Sequence, residues 1–161
     1  MKRVLVLGGQ GMLGHIVVKT LSGSQEIKVE CTVKGDGDSP FYFNVENGID
    51  QLHKIIKSHV DFDYIINCIG ILSNNIDERN SDSVRTAILV NGMFPHDLIK
   101  LGSELGIRII HISTDGVFSK SAGLCHEDSL QSCEDIYGKT KSIGEGFSQK
   151  LLNIRCSIFG P

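Results

Sequence analysis

Tyr137 and Lys141 stand four residues apart in "DIYGKTKSIGE", residues 135–145. On a helix such residues share a face, so an ammonium could sit beside a phenol. A free tyrosine titrates near ~10, and an opposite charge within a few ångströms lowers that by ~1–3 units. That would bring the phenol toward the pH at which general acid–base catalysis is most effective. The same spacing also occurs on ordinary solvated helices, so the rest of the chain must decide between chemistry and surface.

The second candidate is "GGQGMLGH", residues 8–15. It satisfies Gly9-x-Gly11-x-x-Gly14 and Gly8-x-x-Gly11-x-x-Gly14 together. One glycine permits a tight turn, one lets the backbone approach a pyrophosphate, and one lets helix and strand pack closely. The free N–H groups and positive end of the following helix would receive the anion. The pattern carries weight because it follows an apolar run, Val4–Leu7, and precedes the helical stripe Met12, Leu13, Ile16, Val17, Leu21. For the adenosine ribose, an acid at the end of the second strand suits a 2′-OH and a base suits a 2′-phosphate. Glu30 lies in mid-strand and the end reads Thr32, Val33, Lys34; Lys34 favours NADP(H) over NAD(H).

The elements that must position these groups alternate along the chain. Strand-like runs occur at Val4–Leu7, Ile27–Val33, "FYFN", "DYIINCIG", "GIRIIHIST" and "LLNIRCSIF". Helical periodicity separates most of them, through Ile49, Leu52, Ile55 and Ile56, then Phe94, Leu98, Leu101 and Leu105, then residues 136–149. Pro95 should start a new helical segment or kink the long one. Apolar strands joined by helices predict an α/β fold with a doubly wound parallel sheet, Rossmann-like, in three αβα layers with at least six strands. The link from "Ile27–Val33" to "FYFN" lacks a clear helix. One domain over residues 1–161 accommodates the whole pattern.

Composition narrows the class. Hydrophobic residues make up 40% and charged residues 22%, with a net charge of −3 and no basic block. This argues against nucleic acid or an anionic membrane as partner. The run Val4–Leu7 is too short for a signal-peptide core, and no segment could span a bilayer. Cys31, Cys68, Cys125, Cys133 and Cys156 are scattered without CxxC spacing. The first, second and last lie in apolar runs and read as small core residues of a reducing, cytoplasmic compartment. Six histidines show no metal-ligand spacing, so no metal is expected. His111 reads as a core or sheet-face residue, Asp115 as a turn residue, Asp61 and Asp63 as solvated loop, and residues 74–83 as a polar loop.

The glycine turn, "HISTDGVFS" and "YGKTKSIGE", in that order, resemble the extended short-chain dehydrogenase/reductases. Within them the chain is most similar to the dTDP-4-dehydrorhamnose reductase-like sugar-nucleotide reductases, with "FNVEN", "NCIG" and "LVNGMFP" also in place. The resemblance implies NAD(P)H-dependent reduction of a 4-keto nucleotide sugar in polysaccharide biosynthesis. It makes Tyr137 the proton donor, Lys141 the cation that lowers its pKa and holds the nicotinamide ribose, and Thr114 the hydroxyl on the reacting oxygen. Gly8, Gly11, Met12, Leu13 and Gly14 would line the pyrophosphate, Asn44 and Val45 would flank adenine, and Cys68, Ile69 and Gly70 would pass beneath the riboses. Asn91 would support from the inner helix.

Two departures stand out. Gly116 occupies a position where this family commonly has tyrosine, and "IRCSIFGP" resembles the point where relatives pass into a substrate-binding region. The expectation is a cofactor-binding portion with weak or absent turnover and an exposed surface suited to that C-terminal region or to a second copy of the chain. A sugar-nucleotide epimerase or dehydratase is the alternative enzyme, and a regulatory subunit of the kind that serves methionine adenosyltransferase is the non-catalytic one.

Overall fold

In the computed structural model, residues 1–35, 37–59 and 61–158 are described. Five strands form one parallel sheet: β1 (Lys2–Leu7), β2 (Ile27–Cys31), β3 (Tyr64–Asn67), β4 (Arg108–Ser113) and β5 (Leu151–Arg155). Their spatial order is β2-β1-β3-β4-β5, with Val4 level with Val29 and Tyr64, and His111 level with Asn67 and Asn153. The helices are α1 (Met12–Ser22), α2 (Ile49–Ser58), α3 (Ser81–Ala87), α4 (Phe94–Leu105) and α5 (Ile136–Ile143). Right-handed crossovers put α1 on one face and α2, α4 and α5 on the other, because the strand order reverses at β1. The three layers are therefore unequal.

Most of the core lies under the second layer. Leu5, Leu7, Ile65 and Ile109 alternate along their strands toward Leu52, Ile55 and Ile56 of α2 and Leu98 and Leu101 of α4. Val4 and Val6, of opposite parity, are buried toward α1.

The structure corrects the strand count to five among the described residues. "FYFN" makes only one bridge, Val33 with Tyr42, held by Val33 N to Phe41 O (3.0 Å) and Phe43 N to Val33 O (2.9 Å). Gln51 takes the neighbouring backbone groups instead: Asn44 N donates to its Oε1 (3.2 Å), and its Nε2 donates to Tyr42 O (3.1 Å). Asn44 then caps a 3₁₀ turn, Val45–Asn47. β3 stops at Asn67 because that side chain accepts Ile69 N (3.1 Å) and turns the chain out of the sheet. Asp36 of the expected loop, Phe159 at the expected end of the last strand, and residues 160–161 lie outside the described residues.

Helix α3 runs into α4 through a π-helical turn, Ile88–Met93. Pro95, in the first turn of α4, has no N–H to give to Asn91 O. That carbonyl instead faces Gly144, where a Cβ would fall 2.1 Å from it. The close approach ends α5 at Ile143 rather than at residue 149, and the chain turns away through Gly144.

Candidate active site

The glycine turn follows β1 directly. Gly8 has φ +79°, which a side chain would strain. Its N–H donates to Thr32 Oγ1 (3.0 Å), Gly9 N to Thr32 O (3.1 Å) and Gly11 N to Gly8 O (2.9 Å). No side chain caps the N-terminus of α1 and no acid occupies its first turn, so its leading N–H groups are available to an anion.

A cleft of about 290 Å³ opens above this turn, at the switch between β1 and β3. Gly8, Gly11, Lys34, Asn44, Val45, Cys68, Ile69 and Gly70 line it, which brings together eight of the expected cofactor residues. Met12, Leu13 and Gly14 form the first turn of α1 and do not line the wall. Gln10, Thr32, Glu46, Thr86 and Val90 line it without having been anticipated. Gln10 Oε1 accepts Lys34 N (3.0 Å) and Gly35 N (3.2 Å), clasping the loop that carries Lys34. Its place inside the glycine motif, where side chains point at the next strand's end, was the available signal. The groups present fit a dinucleotide: glycines where a Cβ would collide, uncapped amides, and an elongated wall.

The second cluster sits at the C-terminal end of β4. Thr114 is buried, and its Oγ1 accepts Gly116 N (3.0 Å) across a short turn, Asp115–Val117. A Cβ on Gly116 would lie 3.3 Å from Thr114 Oγ1 and 3.6 Å from Tyr137 Cε1, so the two side chains flank this glycine. Asp135 caps α5, accepting Gly138 N (2.6 Å), and Ile136 N donates to Glu78 Oε1 (3.0 Å). Residues 74–83 are thus anchored: they contain a 3₁₀ turn, the start of α3 and this link to the tyrosine's helix. Lys141 is buried and donates from Nζ to Ile112 O (2.7 Å).

The electrostatics differ from the expected pairing. Burial holds the Tyr137 phenol above the ordinary tyrosine value, with the Thr114 hydroxyl acting in the opposite sense; Lys141 is not among the main influences. Burial lowers Lys141 to about 8, offset by Glu145, Cys156 and Cys68. The phenol is therefore held as an acid by burial, not made acidic by the ammonium. Lys141 in turn acts on Cys68, whose thiol burial pushes up to about 12, and this thiol forms part of the cleft wall. Cys68 thus links the glycine cleft to the charge of Lys141, although Thr114, Tyr137 and Lys141 do not themselves line that cleft.

The sequence profile of the RmlD substrate binding domain matches residues 1–159. The chain belongs to this family. A dTDP-4-keto-6-deoxy-D-glucose reductase of Streptomyces niveus is 31% identical over 144 residues, covering 89% of this chain and 46% of that protein. Methionine adenosyltransferase 2 subunit beta of Xenopus tropicalis is 29% identical over 150 residues, covering 89% of this chain and 42% of that protein. The crystal structure of a dTDP-4-dehydrorhamnose reductase from Clostridium acetobutylicum has a TM-score of 0.75 at 27% identity, covering 95% of this chain and 52% of that one. A dTDP-4-dehydrorhamnose reductase from Bacillus anthracis, solved in complex with NADP, shares the fold with a TM-score of 0.79 at 22% identity, covering 96% and 53%. The chain spans about half the length of the relatives it matches.

Within this RmlD-type fold the remaining expectations sort plainly. Asn91 is buried, accepts Ile71 N (2.8 Å), and donates to Ile71 O (2.9 Å) and Thr140 Oγ1 (3.3 Å). It thereby ties the cleft wall to α5. His111 is a buried sheet residue beside Asn67, as its strand position implied. Asp63 is not free loop solvation, since it accepts Lys2 Nζ and Arg3 N, each at 2.9 Å. The five cysteines are free and half-buried, which corrects the core placement expected of Cys31, Cys68 and Cys156. Among the described residues no helix is long and apolar enough to cross a membrane.

Proposed function

We propose that this chain is the cofactor-binding portion of an NAD(P)H-dependent reductase of a 4-keto nucleotide sugar. The observation that supports this is the meeting of Thr114, Tyr137 and Lys141 at the end of β4, beside the Cys68 wall of the glycine cleft. The uncapped turn from Gly8 through Leu13 would hold the pyrophosphate, with Gly14 allowing α1 to close on it. Lys34 would take a 2′-phosphate and so favour NADP(H), Asn44 and Val45 would flank adenine, and Cys68, Ile69 and Gly70 would support the riboses. When bound, the nicotinamide supplies the hydride.

The chain's own residues supply the proton and its aim. A phenol held above its ordinary value keeps its proton at neutral pH, which is the form that reduction consumes. Thr114 orients the carbonyl oxygen, and Tyr137 protonates that oxygen as negative charge develops on it. Lys141, mostly protonated at pH 7 with its value near 8 and anchored on Ile112 O, would hold the nicotinamide ribose. An epimerase or dehydratase fits less well: the acid beside Thr114 is Asp115, which already accepts the Ser157 hydroxyl.

The test is a fluorescence titration with NADPH and NADH, followed by single-turnover reduction of a dTDP-4-keto-6-deoxy sugar. Because the relatives are about twice as long, slow turnover is expected from the 161 residues. Tyr137→Phe should leave dinucleotide binding intact and lower the rate by ~10²–10⁴-fold. Absence of dinucleotide binding, or an unchanged rate in the variant, overturns the proposal. A second reading rests on the likeness to methionine adenosyltransferase 2 subunit beta and on Gly116. Dinucleotide binding with no reduction by any full-length form would favour that regulatory role.

A further inference from the structure

Glu145 follows α5 and, although ionisable, its side chain is only 5% exposed. Every partner of its carboxylate comes from a different part of the fold. Ser113 Oγ, at the end of β4, donates to Oε1 (2.5 Å). Gln131 Nε2, in the loop before α5, donates to Oε2 (2.6 Å). Arg155, at the end of β5, donates from Nε to both oxygens (2.9 and 3.0 Å) and from Nη2 to Oε2 (2.7 Å). The outer ring of contacts extends the joint: Ser142 of α5 donates to Gln131 Oε1, and Arg155 Nη1 donates to Glu127 O (2.8 Å). The guanidinium also lies over the Phe118 ring, 5.2 Å from its centroid.

A buried carboxylate is retained only when charge-assisted hydrogen bonds offset its desolvation, and here they do. The partners hold Glu145 below the usual carboxylate range despite burial. What the joint fixes is the relation between two pieces of backbone. Ser113 is the residue before Thr114, and Ser142 lies on the helix of Tyr137, so both elements that bring Thr114 and Tyr137 to the two sides of Gly116 are tied to one carboxylate.

We propose that Glu145 is a positioning residue that holds the Thr114 hydroxyl against Tyr137, acting through Ser113, Gln131 and Arg155. The proposal rests on the roles given above to Thr114 and Tyr137, but its test does not need turnover. The readout is the Tyr137 titration, followed by ultraviolet difference absorbance and assigned by subtracting the Tyr137→Phe spectrum. The groups acting on that phenol are Thr114, Asp115, Cys156 and Asp135.

In Glu145→Gln, one oxygen becomes a donor facing donors, and the joint loosens. Withdrawal of the Thr114 hydroxyl from the phenol, whose value it lowers, then shifts the Tyr137 midpoint upward. A purely electrostatic effect has the opposite sign, since removing a negative charge or freeing Arg155 can only favour phenolate. Ser113→Ala removes the single link from the carboxylate to β4 and should give the same upward shift; it decides the matter if Glu145→Gln fails to fold. A midpoint that stays put or moves down in folded variants overturns the proposal. An upward shift combined with failure of the reduction assay leaves the positioning role standing and removes the reductase reading.

Discussion

Gly14→Ala probes the approach of α1 to the glycine turn, on which the cleft depends. A Cβ built at Gly14 falls 2.1 Å from Gly8 O, 2.7 Å from the Gly8 carbonyl carbon and 3.1 Å from Gly9 Cα. Ordinary contact needs ~3.5 Å or more, so helix and turn must part by about 1.4 Å. The obstructing atoms are backbone, and no rotamer change relieves them. Overpacking costs ~1–3 kcal/mol, and a backbone collision belongs at the upper end. At ~2–4 °C per kcal/mol for a domain of this size, melting should fall by about 6–12 °C. The displacement also pulls on the Gly11 N to Gly8 O bond (2.9 Å), so dinucleotide affinity should fall with stability. Gly11→Ala is the control. Its Cβ meets only Gly8 O, at 3.3 Å, so melting should change by less than about 3 °C, an effect near 1 kcal/mol. Because Gly11 lines the cleft, binding should still weaken. Differential scanning fluorimetry and a dinucleotide titration read both variants. A Gly14→Ala protein that melts within about 2 °C of wild type and binds equally well refutes the reasoning.

Three further outcomes follow from buried polar groups. Lys141, lowered to about 8 from 10.5, penalises the fold below pH 8, and the penalty is relieved as pH rises toward 10.5. Cys68, raised to about 12 from 9.0, acts in the opposite sense only above pH 9. Between pH 8 and 9, wild type should therefore gain about 1 kcal/mol relative to Lys141→Met in urea unfolding; a constant difference counts against it. His111, lowered to about 3 from 6.5 chiefly by burial, stays neutral in the fold, so stability is present above 6.5 and lost as pH falls toward 3. His111→Gln should remove about 2 kcal/mol of that loss between pH 7 and 4.5, read as the pH slope of the difference. Asn91→Ala leaves Ile71 N and O without their partner and should cost about 2–4 kcal/mol by the same unfolding assay.

Local pattern determined much of this protein. Five of the six apolar strands, the glycine turn and the periodicity of Leu98, Leu101 and Leu105 each depend on neighbours within a few residues, and these appear in the fold. Eight cleft residues and the Thr114–Tyr137 meeting were legible because their motifs sit at strand ends, where a parallel sheet must place them. Tertiary structure decided the rest. "FYFN" has strand composition, yet Gln51 competes for its backbone from the next helix. Tyr137 and Lys141 have the spacing of a charge pair, yet burial raises the phenol and the ammonium turns to Ile112 O. Glu145 falls within residues 136–149, whose spacing predicts one continuous helix, and only the register of β4 against β5 brings Ser113 and Arg155 to it. Hydrogen-bond competition and desolvation depend on groups distant in the chain, so no local window of sequence contains them.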